Sequence, residues 1–160
     1  PEAQLDRFMF IINVDYPTLK QEVEIALTTT SGINSKMDIV LNAEQIQEFQ
    51  KLVPSVPVSQ HVAEFAVRLV QSSRPNKNGT SLGFINEWVD WGAGPRASQY
   101  LLMGAKACAL MDNRVTATIE DVKRVTRQVL EHRIILNFKA EAENITTTDI
   151  IEKLLKSVKT

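Results

Sequence analysis

The sequence predicts a mainly α fold, with one N-terminal strand followed by a helical bundle of about five to seven helices. Three observations lead there. Residues 8–12, FMFII, are a continuous apolar run rather than an alternating one, the pattern of a strand buried on both faces of a parallel sheet. From residue 18 on, apolar residues recur at helical spacing, repeatedly behind a side chain able to cap a helix. Residues 96–111, RASQYLLMGAKACALM, are apolar nearly all round with small residues interspersed, which marks them as the central and most buried helix.

The elements follow in order. Tyr16-Pro17 ends the strand, and Thr18 with Gln21 opens a helix whose apolar face is Leu19, Val23, Ala26 and Leu27. The stretch TTTSGINSK (28–36) reads as a loop. Asn42 begins a shorter helix with Ile46 and Phe49 inward. VPSVPV (53–58) reads as an extended connector because of its prolines. Val58, Val62, Phe65, Ala66 and Leu69 form the next helical stripe, and SSRPNKNGTS (72–81) ends it in a mobile loop. Thr118 with Asp121 and Thr146 with Asp149 are capping boxes that open the last two helices. A lone strand cannot satisfy its own backbone. Residues 8–14 are therefore expected to be extended and either disordered or paired with another chain.

Composition bounds the function. The chain has 160 residues, 44% hydrophobic and 23% charged, with a formal net charge of −1. That suits one globular domain or two small ones and supplies no basic field for nucleic acid or an anionic membrane. Lys123, Arg124, Arg127, His132 and Arg133 gather locally, which reads as a solvated helix face. No apolar run approaches a membrane span, and cytoplasm is the expected compartment. Cys108 is the single cysteine and reads as a small buried hydrophobe. His61 and His132 each stand apart from other ligating residues, so no metal site is expected. The first residue is Pro1, and the chain reads as a piece of a longer protein.

WVDWGAGPRASQYLL (88–102) poses the functional question. Pro95 suits the first helical position, with Gly94 as cap. Arg96 then falls in the first turn, where a cation is less favoured than at a helix C-terminus. Two readings follow: Arg96 meets a more anionic group such as a phosphate, or it pairs on the surface with Asp90 or Glu87. No phosphate-cradling glycine loop with a lysine and no nucleophile–base arrangement occurs in the chain.

Read together, PEAQLDRF ahead of an apolar strand and YP, then WGAGPRASQYLLMGAKACALM some ninety residues later, resemble the MoxR family of AAA+ ATPases. SSRP, TIEDVKRVTRQVLEHRIIL and the final Thr/Asp-capped helix match in the same order. The family usually has Ser where Gly94 stands. The resemblance implies that residues 1–16 end an α/β nucleotide-binding core and that residues 17–160 are helical and include the lid. It implies that Arg7 is the arginine finger, acting on a neighbouring subunit's nucleotide. It also implies that Arg96 is the sensor 2 arginine, binding the γ-phosphate.

Arg74 sits at a family-like position and reads as structural. ATP and Mg²⁺ are the cofactors the resemblance implies for the full-length protein, with none expected on this chain alone. The implied partners are neighbouring subunits of a homo-oligomeric ring and proteins with von Willebrand factor A domains, which the ATPase would remodel. The competing reading is a stand-alone helical module that binds protein or nucleic acid through Arg124, Arg127 and Arg133.

Overall fold

The computed structural model describes residues 2–32, 38–76 and 82–159. Along them run α1 (Glu2–Leu5), α2 (Leu19–Thr30), α3 (Ala43–Ser55), α4 (Gln60–Ser72) and α5 (Gly83–Trp88). Then come β1 (Val89–Trp91), α6 (Pro95–Met111), α7 (Ile119–Leu130), β2 (Ile135–Leu136), α8 (Phe138–Ala142) and α9 (Thr147–Ser157). The mainly α class is as the sequence predicts. The helices number nine among the described residues, more than expected. The surplus is α1, α5 and α8, which are too short to show a periodic stripe.

The expected caps form. Thr18/Gln21, Thr118/Asp121 and Thr146/Asp149 close capping boxes, and Asn42 closes another with Gln45. Thr18, Asn42 and Thr146 each accept from an amide that the first helical turn leaves without a partner. At Thr118 it is Asp121 that accepts, from the cap's own N–H and hydroxyl. α6 begins with Gly94 as cap and Pro95 at its start, as the fixed φ of proline favours. Cys108 is buried on the inner side of α6.

The core forms where α4, α6, α7 and α9 meet, around Phe65, Leu69, Leu101, Val122, Val129, Leu130, Ile150 and Leu154. α6 is the central helix, packing on α3, α4 and α7. Gly104 lets α6 and α7 cross closely, since a Cβ there would stand 3.1 Å from Val125 Cγ2. The share of buried residues is nevertheless higher in α7, with six of 12 against six of 17 in α6. Small residues on α6 admit its neighbours but leave its other flank partly open. β1 and β2 pair antiparallel, Val89 with Leu136 and Trp91 with Ile135.

Several expectations are corrected. Residues 8–12 form no strand. Their backbone is instead engaged within the chain: Ile11 N–H donates to Gln128 O (2.9 Å), and the carbonyls of Phe8 and Met9 accept from side chains after α7. The backbone of the segment is thus engaged within the chain, although Phe8 and Ile12 stay exposed. α2 has the expected stripe, but Leu19, Val23 and Leu27 are exposed, as are Ile46 and Phe49 of α3. No described element lies over either face. α3 reaches α6 at its end, where Lys106 Nζ donates to Pro54 O (2.7 Å) and Val56 is buried.

The connector is shorter than its prolines suggest. Val53, Pro54 and Ser55 complete α3, because a proline in the last turn removes only one helical bond. Val56, ahead of Pro57, turns to extended backbone (φ −63°, ψ 124°). Thr28–Thr30 belong to α2 rather than to a loop. Residues 33–36 and 77–81 of the two predicted loops lie outside the described residues, as does residue 37.

Asp121 does more than cap α7. Its carboxylate receives both Arg114 amino groups, at 2.8 and 2.5 Å, while accepting from Thr118 N–H at 2.8 Å. The Arg114 hydrogen bonds, helped by those from Thr118, pull its pKa from 3.8 to about 2. A carboxyl lowered on folding adds stability above its unfolded pKa and loses it as pH falls. The melting-temperature advantage of the native chain over Asp121→Asn should therefore be full at neutral pH and shrink between about pH 4 and 2. Melting curves across that window check it.

Candidate functional site

The WGAG turn is built by the end of α4. Ser73 is fully buried, and its Oγ accepts from Ala93 N–H (3.0 Å) while donating to Val70 O (2.7 Å). Arg74 Nε donates to Ala93 O (2.8 Å). Ala93 thus has both backbone groups held by neighbouring residues of the SSRP motif, which gives Arg74 the structural role expected of it. Gly92 is obligatory at this approach: a Cβ would lie 2.3 Å from Ser73 O and 2.6 Å from Arg74 Cα. Gly94 has open space where its Cβ would be, and no side chain caps α6.

On this mount, Arg96 points outward with its side chain 45% exposed. Its partner is neither Asp90 nor Glu87. Arg96 Nη1 donates to Asp6 Oδ2 at 2.8 Å, joining positions 90 residues apart. One helical turn further on, Tyr100 Oη donates to Arg7 O (2.9 Å). Arg7 itself is exposed, and its guanidinium has no hydrogen-bonding or ionic partner among the described residues. The structure therefore places the backbone of Arg7 against the α6 face that carries Arg96 and leaves the Arg7 side chain unengaged.

The residue that organises this corner was not foreseen. Arg133 has a side chain only 1% exposed. Its Nε donates to Asp6 Oδ1 (2.9 Å), and its Nη2 donates to Asp6 O (2.8 Å) and Phe8 O (2.6 Å). Its Nη1 donates to Val129 O and, at 3.4 Å, to Met9 O, and its plane lies over the Tyr100 ring, 5.1 Å from the centroid. Burial pulls the guanidinium below its usual value and Asp6 opposes that. It stays charged throughout the physiological range. Burial also raises Asp6, but hydrogen bonds from Arg133 and then Arg96 outweigh it and hold the carboxyl below 3.8.

His132 stands beside them, with Nε2 3.1 Å from Phe8 O and Nδ1 buried without a partner among the described residues. Burial, then the Arg133 charge, lowers its pKa and favours the neutral ring. Between these side chains and the turn at Asp90, Trp91, Gly92 and Gly94 opens a cleft of about 590 Å³. The signal for Arg133 lay in its setting: an arginine between Leu130 and the run Ile134, Ile135, Leu136 needs a carboxylate if it is to be buried.

The remaining basic residues of α7 are paired, Lys123 with Glu120, Arg124 with Asp112 and Arg127 with Glu131. No helix among the described residues is long and apolar enough to cross a membrane.

Residues 85–154, from α5 into α9, match the AAA lid domain family. The likeness extends beyond the lid. The chain is 32% identical to the protein named Chaperone MoxR1 of Mycobacterium tuberculosis, over 99% of this chain and 41% of that protein. It is 27% identical to Protein MoxR of Paracoccus denitrificans, over 86% of this chain and 43% of that one. A solved structure of a candidate ATPase from Cytophaga hutchinsonii superposes with a TM-score of 0.86 at 34% identity, over 99% of this chain and 48% of that chain. Along its length the chain is thus similar to MoxR proteins, and it spans less than half the length of these relatives.

The mount yields two contrasting outcomes. Gly92→Ala must displace the Ser73 backbone and should destabilise the chain by roughly 1–3 kcal/mol, as overpacking does. Gly94→Ser should be neutral or stabilising by a few tenths of a kcal/mol through the added cap. Denaturant melts of both variants decide. Arg133→Met should destabilise by about 3 kcal/mol, the low end for breaking a buried ion pair because Asp6 stays 34% exposed. It should also speed amide exchange at Ile11, read by hydrogen-exchange mass spectrometry.

Proposed function

We propose that this chain supplies the lid and two phosphate-reading arginines of an ATP-hydrolysing AAA+ protein that remodels partner proteins. The observation that carries the reading is Arg96: a half-exposed guanidinium at an N-terminus of a central helix, on a backbone mount held by Ser73 and Arg74, with a single carboxylate as its partner. A helix N-terminus and a guanidinium together favour an anion, and a cleft lined by Asp6, Gly94, His132 and Arg133 opens beside the turn that leads into this helix. The groups present therefore fit a phosphate.

MgATP would supply the γ-phosphoryl group, whose transfer spreads negative charge over its equatorial oxygens. Arg96 can donate two parallel hydrogen bonds to such oxygens, which a lysine cannot. The position of α6 would thereby depend on the nucleotide. Arg7 has the properties a finger needs: its backbone is pinned by Tyr100 and the adjacent Asp6, while its side chain is free to reach another subunit. An arginine supplied in trans is worth about 10³–10⁵ in rate. On this reading residues 1–16 close the nucleotide-binding core and residues 17–160 carry the lid. The partners are neighbouring subunits of a ring and, by family resemblance, von Willebrand factor A domain proteins. The MoxR1 chaperone name supports a remodelling role. The ion pairs that occupy Lys123, Arg124 and Arg127 weigh against a nucleic-acid module.

The full-length protein tests this. Arg7→Ala should leave ATP affinity nearly intact and lower kcat by orders of magnitude, with partial recovery when wild-type subunits are mixed in. Arg96→Ala should lower kcat and also change ATP affinity, because its contact exists in the ground state. Lysine at either position should rescue poorly. Near-normal turnover in both alanine variants would return the arginines to surface roles. The 160-residue chain alone should not turn over ATP, as it contains no G-x-x-x-x-G-K-[ST] loop.

A further inference from the structure

Asp6 is shared between two arginines of opposite character. Its Oδ1 faces Arg133, whose side chain is 1% exposed, and its Oδ2 faces Arg96, whose side chain is 45% exposed. The first pair is backed by hydrogen bonds from the same guanidinium to the carbonyls of Asp6, Phe8 and Met9. Releasing it would strand a buried charge, which is strongly unfavourable. The second pair is a single contact in partly solvated surroundings, of the kind that contributes little and exchanges readily. One end of the carboxylate is fixed and the other is releasable.

We propose that Asp6 is a positioning residue that holds Arg96 until a phosphate competes for it, while Arg133 keeps Asp6 and the adjoining Arg7 in place during the exchange. This rests on the reading of Arg96 as a phosphate ligand and adds to it the group that a phosphate must displace. Without nucleotide, Asp6 neutralises Arg96 at the start of α6, where a bare cation faces the positive end of the helix. When a phosphate arrives, its oxygens offer the same paired acceptors with more charge, and Arg96 transfers. Asp6 keeps Arg133 as its partner, so no unpaired charge is left behind. The backbone of Arg7 stays tied to Tyr100, one helical turn beyond Arg96 on α6. The backbone of the finger thus stays with α6 when the Arg96 side chain transfers.

The test is a double-mutant cycle in the full-length protein, reading ATP-analogue affinity by calorimetry. Asp6→Asn keeps an oxygen for Arg133 but turns the Arg96 contact from attraction to none. It should tighten binding of a non-hydrolysable ATP analogue about two- to fivefold, the range available from a half-exposed pair. Damage to the structure alone would not raise affinity. On an Arg96→Ala background the same substitution should change affinity by less than about 1.5-fold, since the group it frees is gone. Unchanged or weaker binding in Asp6→Asn, or an equal gain without Arg96, overturns the latch. If Arg96→Ala alone leaves affinity and turnover untouched, the phosphate-ligand reading fails and the latch with it.

Should Asp6→Asn fail to fold, the wild-type protein still decides through its structure with the analogue bound. Arg96 Nη1 should have left Asp6 Oδ2, with Arg133 Nε still near 2.9 Å from Oδ1. Arg96 remaining on Asp6 beside a bound triphosphate would overturn the proposal.

Discussion

A guanidinium buried at the end of α7 sets the terms for the rest of this molecule. Arg133 cannot be neutralised, so burial obliges the chain to bring acceptors to it. One carboxylate is not enough for its donors. The remaining acceptors are carbonyls of Asp6, Phe8, Met9 and Val129. Those of residues 6, 8 and 9 are the groups that a strand would offer to a neighbouring strand. The FMFII segment is therefore held by side chains of a helix end rather than by a ladder. Its apolar run survives as sequence pattern while its backbone takes a different partner.

What was legible in the sequence was local. Thr18, Asn42, Thr118 and Thr146 start helices because each can cap an amide a few residues on, and that relation lies within one window of sequence. The stripe through Val62, Phe65, Ala66 and Leu69 marked a buried face because its period is the period of the helix. The arrangement at Gly94 and Pro95 was readable for the same reason. Arg133 and Asp6 were not, being 127 residues apart and each resembling an ordinary surface charge when read alone. β1 and β2, of three and two residues, carry too little alternation to register. The faces of Ile46 and Phe49 show the opposite failure. Amphipathicity says which side of a helix would be buried, not whether anything lies over it.

Resemblance to the MoxR family brought in what locality could not, by joining motifs that are far apart. The structure brings some of those motifs into contact. SSRP and WGAG meet at Ala93, whose amide and carbonyl are both bound by neighbouring side chains of the first motif, and Gly92 is what permits the approach. QLDR and Arg133, the arginine of EHRIIL, meet at Asp6. Each motif looks weakly specific because half of its function is to receive the other.

The arginines of this corner separate by what holds them. Arg74 donates its Nε to a backbone carbonyl, and Arg133 distributes its donors among carbonyls and one carboxylate; both act as fixed struts. Arg96 and Arg7 are the reverse, with backbones placed by buried or helical contacts and guanidiniums left exposed. That division follows from a constraint on any residue that must meet a transient anion. Its main chain has to be located by interactions that persist, while its charge must be met only by a partner it can leave. A strut in Arg96's place would be too costly to release, and an unpaired cation at a helix N-terminus would be repelled by the helix dipole. A half-exposed carboxylate, itself anchored from behind, satisfies both demands.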